Sequence, residues 1–266
     1  MTATTPARGD ATSRRVPLVV GWAVAFSPVL ADLVRHWAAE PWARYSLVFV
    51  PLLVWGLARS SAAARATADG WIWLGLAIAL EILALAGDAV RTARPALALG
   101  AIGLARATGL AATRPLVLLL WVTPLPRVLA GIASPDLERF WVHAVLPLAH
   151  AFGATLALEG SSVLAPTATL ELRFVDGGLL LAALLSGLGW HSAMLAGARL
   201  PSAIARAIGW AALALPLQLI IVALALGLLA GGSPGAARAV LEDTLWVVAA
   251  AGILVVSARA SRVAAS

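Results

Sequence analysis

The chain has 266 residues, of which 61% are hydrophobic and only 12% are charged, and its mean hydropathy is +0.93. Because a water-soluble globular domain carries about a quarter of its residues in charged types, this composition excludes an ordinary soluble protein and predicts a multi-pass membrane protein. All 19 basic residues are arginine and there is no cysteine, which excludes lysine Schiff-base chemistry, disulfides, thiolate metal sites and a cysteine nucleophile.

Residues 1–15 contain threonine, alanine and arginine without an apolar period, and they predict a disordered cytoplasmic tail. About eight apolar runs follow, most of them near the length of about 17 to 25 residues that crosses a bilayer. The predicted spans are Val16–Val34, Tyr45–Ala58, Trp71–Val90, Pro95–Gly109, Pro115–Ala133, Gly177–Gly197, Ala207–Gly231 and Val240–Ala258. The second and fourth are short for a full crossing, so either could be re-entrant. The expected fold is an all-α integral membrane protein with one transmembrane domain at 16–262 and a C-terminal tail at 263–266.

Residues 134–176 are predicted to form a polar segment outside the cytoplasm. Apolar residues recur at three- and four-residue spacing over Asp136–Leu158, which predicts an amphipathic helix lying in the outer membrane interface, although a ninth membrane helix is an open alternative. Alternation over Thr169–Phe174 predicts a strand, and Ser162–Ala165 could pair with it as a β-hairpin. The hairpin would direct Asp176 toward the bilayer, but an N-cap of the next helix explains that aspartate equally well.

Charge asymmetry predicts the orientation of the spans. Arginines near span ends are more numerous on the side of the N-terminus, which places both termini in the cytoplasm. Most acidic residues fall on the opposite face, namely Glu40, Asp136, Glu138, Glu159, Glu171, Asp176, Glu242 and Asp243. Because the arginines are scattered rather than clustered, nucleic acid is not expected as a partner. The expected location is the plasma or inner membrane, with the lipid bilayer as the first partner.

Two fragments carry a resemblance to a known family. The fragment at residues 42–59, WARYSLVFVPLLVWGLAR, is similar to a Tyr-Ser-His-Gly segment that runs into apolar residues and a proline, with agreement at Tyr45, Ser46, Phe49, Val50 and Pro51. Leu47 stands where that segment has histidine. The fragment at residues 115–129 is similar to an apolar stretch that ends in Pro-x-Pro. With the Glu159–Gly160 turn and the re-entry at residue 177, the chain resembles exosortases and archaeosortases, multi-pass enzymes that process proteins with a C-terminal sorting signal.

The family's catalytic set is a cysteine within Ala-Cys-Ser-Gly, then an arginine, then a histidine. The resemblance aligns these positions with Asp176 for the cysteine, Gly178 for the motif glycine, Gln218 for the arginine, and Glu242 or Asp243 for the histidine. It implies that the substrate is bound by Tyr45, Ser46, Arg173, Gly178 and Asp243. None of the three catalytic residue types is retained.

The replaced residues change the chemistry that the resemblance implies. The family reaction needs a thiolate nucleophile and a cation beside the developing oxyanion. The carboxylate of Asp176 cannot replace that thiolate at an amide bond, and Gln218 carries no positive charge. We therefore expect no cysteine transpeptidation. The expected function is non-catalytic binding of a substrate protein with a C-terminal sorting signal and transmembrane tail, in a protein-sorting or exopolysaccharide-linked export system.

Two other functions stay open. In the first, a carboxylate cluster acts as acid and base in a membrane peptidase or transferase, or binds a divalent metal with His143 or His150. No HExxH motif and no pair of histidines spaced i, i+4 is present, so we expect no metal and no other cofactor. In the second, Glu81 and Asp88 line the path of a channel or transporter.

Overall fold

The computed structural model describes residues 9–59, 66–109, 113–123, 143–151, 153, 155–159, 162–166, 168–171 and 174–265. Helices form most of this part of the chain. The α-helices are α1 (Gly9–Ala25), α2 (Ser27–Ala39), α3 (Phe49–Arg59), α4 (Asp69–Ala86), α5 (Arg94–Thr108), α6 (Thr113–Leu116), α7 (Leu119–Val122), α8 (residues 143–151), α9 (Phe174–Leu195), α10 (Leu200–Ala212), α11 (Ala214–Ala230) and α12 (Pro234–Ala265). Two 3₁₀ helices, Pro41–Val48 and Val90–Ala93, precede α3 and α5. The three strands are β1 (Ala157–Glu159), β2 (Ser162–Ala165) and β3 (Ala168–Glu171).

The chain divides into two compact units, Met1–Thr123 and Pro124–Ser266. The sequence predicted one transmembrane domain over residues 16–262 and gave no boundary signal near Thr123. Each unit has its own buried core. In the first unit α5 packs on α4 and on α1, and in the second unit α9 packs on α10, α11 and α12.

Close backbone contact joins α4 to α5 in the first unit. Gly70 lies directly against the backbone of Ala107, and a Cβ added to Gly103 would stand 2.6 Å from the backbone nitrogen of Leu74. Only glycine fits at such an approach, and helices in membranes commonly pack through small residues of this kind. The α4–α5 pair is therefore a tightly packed antiparallel hairpin.

Proline explains two helix breaks. The bend of 62° between α1 and α2 falls at Phe26, because Pro28 has no N–H to donate to the carbonyl oxygen of Val24. In the second unit, Pro216 cannot donate to the carbonyl oxygen of Ala212, and the helix is interrupted at the single residue Leu213 between α10 and α11. The two helices together nevertheless form one candidate apolar span, Leu200–Ala230.

The three strands form an antiparallel sheet in the order β1-β2-β3. Strand β2 pairs with β3 so that Ser162 lies opposite Glu171 and Ala165 lies opposite Ala168. Val163 in β2 is buried in one cluster with Val145 and Ala149 of α8 and Val222 of α11. The sheet and α8 therefore pack against the C-terminal half of α11.

Three helical stretches in the described chain are long and apolar enough to cross a membrane, namely Asp69–Ala86, Gly178–Leu195 and Leu200–Ala230. The number rises to five if each of two bent pairs, Pro17–Ala25 with Ser27–Ala39 and Pro234–Leu241 with Asp243–Val256, is one span. Large apolar side chains on these helices are exposed, among them Leu83 at 70% and Leu254 at 69%. An all-α fold is confirmed and a membrane location is compatible with it, whereas the count of eight spans stays a prediction.

Four expectations from the sequence need correction. Residues 9–15 of the predicted disordered tail are helical, because they extend α1 and each added residue gains a hydrogen bond in an existing helix. Phe174 begins α9 instead of ending a strand. Since α9 starts there, Asp176 lies in its first turn and is not the N-cap. Of the predicted helix Asp136–Leu158, residues 143–151 are helical and residues 157–159 form β1, while residues 136–142 lie outside the described part.

Candidate functional site

The contact between Gly178 and Gln218 is the centre of the candidate site. Gly178 lies one turn into α9 and Gln218 lies one turn into α11. A Cβ added to Gly178 would stand 3.7 Å from Cγ of Gln218, which is ordinary van der Waals contact. Two positions that the family resemblance nominated separately are therefore side by side in the second unit.

A buried apolar cluster fixes α9, α11 and α12 around this contact. Its core consists of Leu181 and Leu185 from α9 with Ala214 and Ile221 from α11. Side chains of α12 pack against it on both sides of Glu242, namely Val240, Leu241, Leu245 and Val248. The helix segment that carries Glu242 and Asp243 thus lies at the same level as Gly178 and Gln218.

The side chain of Gln218 is buried and polar. Only 5% of the residue is exposed. A polar side chain in such a place normally needs a hydrogen-bond partner. Because a glutamine amide offers both N–H donors and a carbonyl acceptor, the position suits a ligand that carries both kinds of group.

The N-terminus of α9 adds backbone donors near this amide. α9 runs from Phe174 to Leu195, and the first four N–H groups of a helix have no partner within the helix. Such groups can donate to a carbonyl oxygen or an anion. Together, the helix end and Gln218 offer several hydrogen-bond donors, and no arginine lies in the described part of the site.

For two of the acidic residues predicted from the sequence, the structure describes the backbone but not the side chain. The backbones of Asp176 and Glu242 are helical, and α12 bends by 41° at Glu242, but their side chains lie outside the described part. Arg173 also lies outside it. Asp243 is exposed on α12 and does not point into the apolar cluster. The proposed roles of these residues stay predictions.

Tyr45 and Ser46 lie in the first unit, and both side chains are buried. The Nε1 atom of Trp37 donates a hydrogen bond of 2.8 Å to Oγ of Ser46. Arg44 donates to the carbonyl oxygens of Trp37 and Ala38, which are unpaired acceptors at the end of α2. These contacts stabilise the corner between α2 and α3, and substrate binding by Tyr45 and Ser46 stays a prediction.

Sequence reasoning missed a polar pair in the first unit. Nη2 of Arg94 lies 2.8 Å from Oδ2 of Asp32, and the two side chains are 5% and 22% exposed. The buried His36 lies one turn beyond Asp32 on α2. The only sequence signal for this pair was the presence of Asp32 and Arg94 in otherwise apolar runs.

Metal ligation finds no support in the described residues, where no group of three His, Asp or Glu side chains could hold an ion. His150, one of the histidines considered for a metal, lies 3.0 Å from the carbonyl oxygen of Leu156 through its Nε2 atom. That contact ties α8 to the segment before β1.

Comparison with known proteins gives no match to a family model, to a curated protein or to a solved structure.

Proposed function

We propose that the protein is an exosortase-like membrane protein that binds the C-terminal sorting region of a membrane-anchored partner and does not catalyse cysteine transpeptidation. In this proposal it crosses the plasma or inner membrane about eight times with both termini in the cytoplasm. The observation that carries the proposal is the contact of Gly178 with Gln218. It supports a retained site because two positions aligned with one family motif set meet at one helix end.

The chemistry of the site favours binding over catalysis. The chain contains no cysteine, so no thiolate can attack a peptide carbonyl. The Gln218 amide holds no fixed positive charge for an oxyanion, although it can donate a hydrogen bond to a neutral carbonyl. The site would hold a peptide group in its ground state without stabilising a transition state, and such binding does not accelerate a reaction.

A peptide backbone matches the donors and acceptors of this site. Each peptide group carries one N–H and one carbonyl oxygen. Gln218 could donate a hydrogen bond to the carbonyl oxygen and accept one from the N–H. The N–H groups in the first turn of α9 could donate to the next carbonyl oxygen of the peptide. Gly178 has no side chain, which leaves room for the peptide beside the amide. The expected ligand is therefore a neutral extended peptide segment next to a membrane helix.

Co-purification with a reporter tests this function. The reporter is a secreted protein that ends in a sorting signal, a membrane helix and a basic tail, and it is co-expressed with the tagged protein. We expect intact reporter to co-purify with the wild type. Gln218→Ala should weaken the recovery by about 2- to 10-fold, which corresponds to the loss of a hydrogen bond of about 0.5–1.5 kcal/mol.

Leu215→Ala is the matched control, because Leu215 lies on the same helix but is 55% exposed. It should leave the recovery unchanged. Equal recovery with wild type, Gln218→Ala and a reporter without the sorting signal would contradict the proposal. A shortened reporter that disappears in Asp176→Ala would show processing by a carboxylate, and the non-catalytic part of the proposal would then be wrong.

A further inference from the structure

Glu81 lies within the apolar helix α4 of the first unit. The span Asp69–Ala86 contains two acidic residues, of which Asp69 is at the start and Glu81 is in the last third. Glu81 is only 3% exposed and lies on the buried face of α4 with Gly70, Ala77 and Ala84. A carboxyl group thus lies on the face of α4 that packs against α5.

No cation neutralises this carboxyl group in the described part of the chain. Arg94 and Arg106 are the arginines of α5, and each is paired with another carboxylate. Arg94 binds Asp32, and Arg106 binds Asp69. The Oε1 atom of Glu81 is buried and has no hydrogen-bond partner among the described residues. The two arginines of α5 are therefore occupied, and Arg91 of the 3₁₀ helix that also packs against α4 is exposed and forms no ion pair with Glu81.

An ionised carboxylate cannot remain in such a place at low free energy. Removing its charge from water without a paired cation costs far more than binding one proton at neutral pH. Ionisable side chains inside membrane spans are accordingly rare, and those that occur commonly carry protons or bind ions. Leu80, Ile82 and Leu83 beside Glu81 are exposed on α4, so lipid would surround this part of the helix and add to the cost.

We propose that Glu81 is an intramembrane proton-binding site, in which the carboxylic acid keeps its proton at neutral pH. The ligand of this site is the proton. The proposal does not depend on the peptide-binding role proposed for Gly178 and Gln218. In this state Glu81 presents an O–H donor and a carbonyl acceptor to the α4–α5 interface. A protonated carboxyl group in an apolar surrounding reacts with lipid-soluble carbodiimides, so Glu81 should be modified by such a reagent.

The labelling reaction uses the bound proton itself. The carboxyl proton moves to one nitrogen of the carbodiimide while the carboxyl oxygen bonds to its central carbon, which gives an O-acylisourea. Migration of the acyl group to nitrogen then yields a stable N-acylurea. The product contains every atom of the acid and of the reagent, so no oxidant or leaving group is needed.

The test uses the full chain in phosphatidylcholine vesicles at neutral pH. One sample is treated with dicyclohexylcarbodiimide and another with a water-soluble carbodiimide, and labelled peptides are mapped by mass spectrometry. We expect the lipid-soluble reagent to label Glu81 and the water-soluble reagent to leave it unlabelled. Glu81→Gln should lose this label. Asp69→Asn, which removes the other acid of α4, should keep it.

Absence of the label on Glu81 in the folded wild type would overturn the proposal, as would equal labelling by the water-soluble reagent. Infrared spectroscopy gives a second readout that does not depend on reagent access. The difference spectrum between wild type and Glu81→Gln should contain the C=O stretch of a carboxylic acid. Carboxylate bands in its place would also overturn the proposal. Because the label is mapped on the wild type, poor folding of Glu81→Gln would not prevent a decision.

Discussion

Arg94 donates two hydrogen bonds to a single oxygen of Asp32, from Nε at 3.1 Å and from Nη2 at 2.8 Å. The two residues are 62 positions apart in the sequence, and their pairing joins α2 to the start of α5. Charge-assisted contacts of this kind are stronger than neutral ones and hold their partners in one geometry. The pair therefore fixes α2 against the start of α5.

We expect Asp32→Ala to lower the free energy of unfolding by about 3–5 kcal/mol, because it leaves the buried guanidinium of Arg94 without a partner. The measurement is a denaturation titration of the purified protein in detergent. Asp69→Ala breaks the pair with Arg106, whose side chains are about 40% exposed, and should cost at most about 1 kcal/mol. Equal losses for the two variants would show that burial does not govern the strength of these pairs.

The close approach of α4 and α5 predicts a sharp difference between two glycines on one helix. Gly70→Ala places a methyl group against the backbone of Ala107, and overpacking of this kind costs about 1–3 kcal/mol. Gly75→Ala meets nothing within 4 Å and should stabilise α4 by up to about 1 kcal/mol, because alanine is the better helix former. Thermal unfolding in detergent separates the two. A neutral Gly70→Ala would contradict the backbone contact.

The corner between α2 and α3 depends on the hydrogen bond from Trp37 to Ser46. Ser46→Ala removes the acceptor from a partly buried indole N–H, and we expect a loss of about 1–3 kcal/mol in the free energy of unfolding. Ser202→Ala is the control, since that hydroxyl is exposed and its change should stay within about 0.5 kcal/mol. If both serines behave alike, the Trp37–Ser46 bond does not stabilise the corner.

Gly178→Ala tests the space beside Gln218. The added methyl group would stand 3.7 Å from Cγ of Gln218, so the helix should tolerate it without loss of stability. The same methyl group occupies the room proposed for a peptide, and recovery of the sorting-signal reporter should fall as it does in Gln218→Ala. Gly209→Ala, with open space around it, should leave the reporter recovery unchanged. Unchanged reporter recovery in Gly178→Ala would place the peptide elsewhere.

The sequence by itself determined the helical class, the apolar character of the helices and some helix ends, because these depend on local chemistry. A run of apolar residues excludes water wherever it lies, and a proline ends hydrogen bonding at its own position. The predicted span Pro95–Gly109 accordingly agrees with α5 within one residue at each end. The start of α9 was misplaced by three residues because the alternation of Leu170, Leu172 and Phe174 fits a strand as well as the turn into a helix.

Only the tertiary structure decided which helices meet. α11 is apolar on every side, so no polar face in its sequence indicates where Gln218 points. The apolar cluster around Leu181 and Ile221 packs α9 against α11, and this packing places Gln218 beside Gly178. The pairing of Arg94 with Asp32 likewise depends on the fold of the first unit. Glu81 is buried and forms no ion pair among the described residues, a property that no local pattern could reveal.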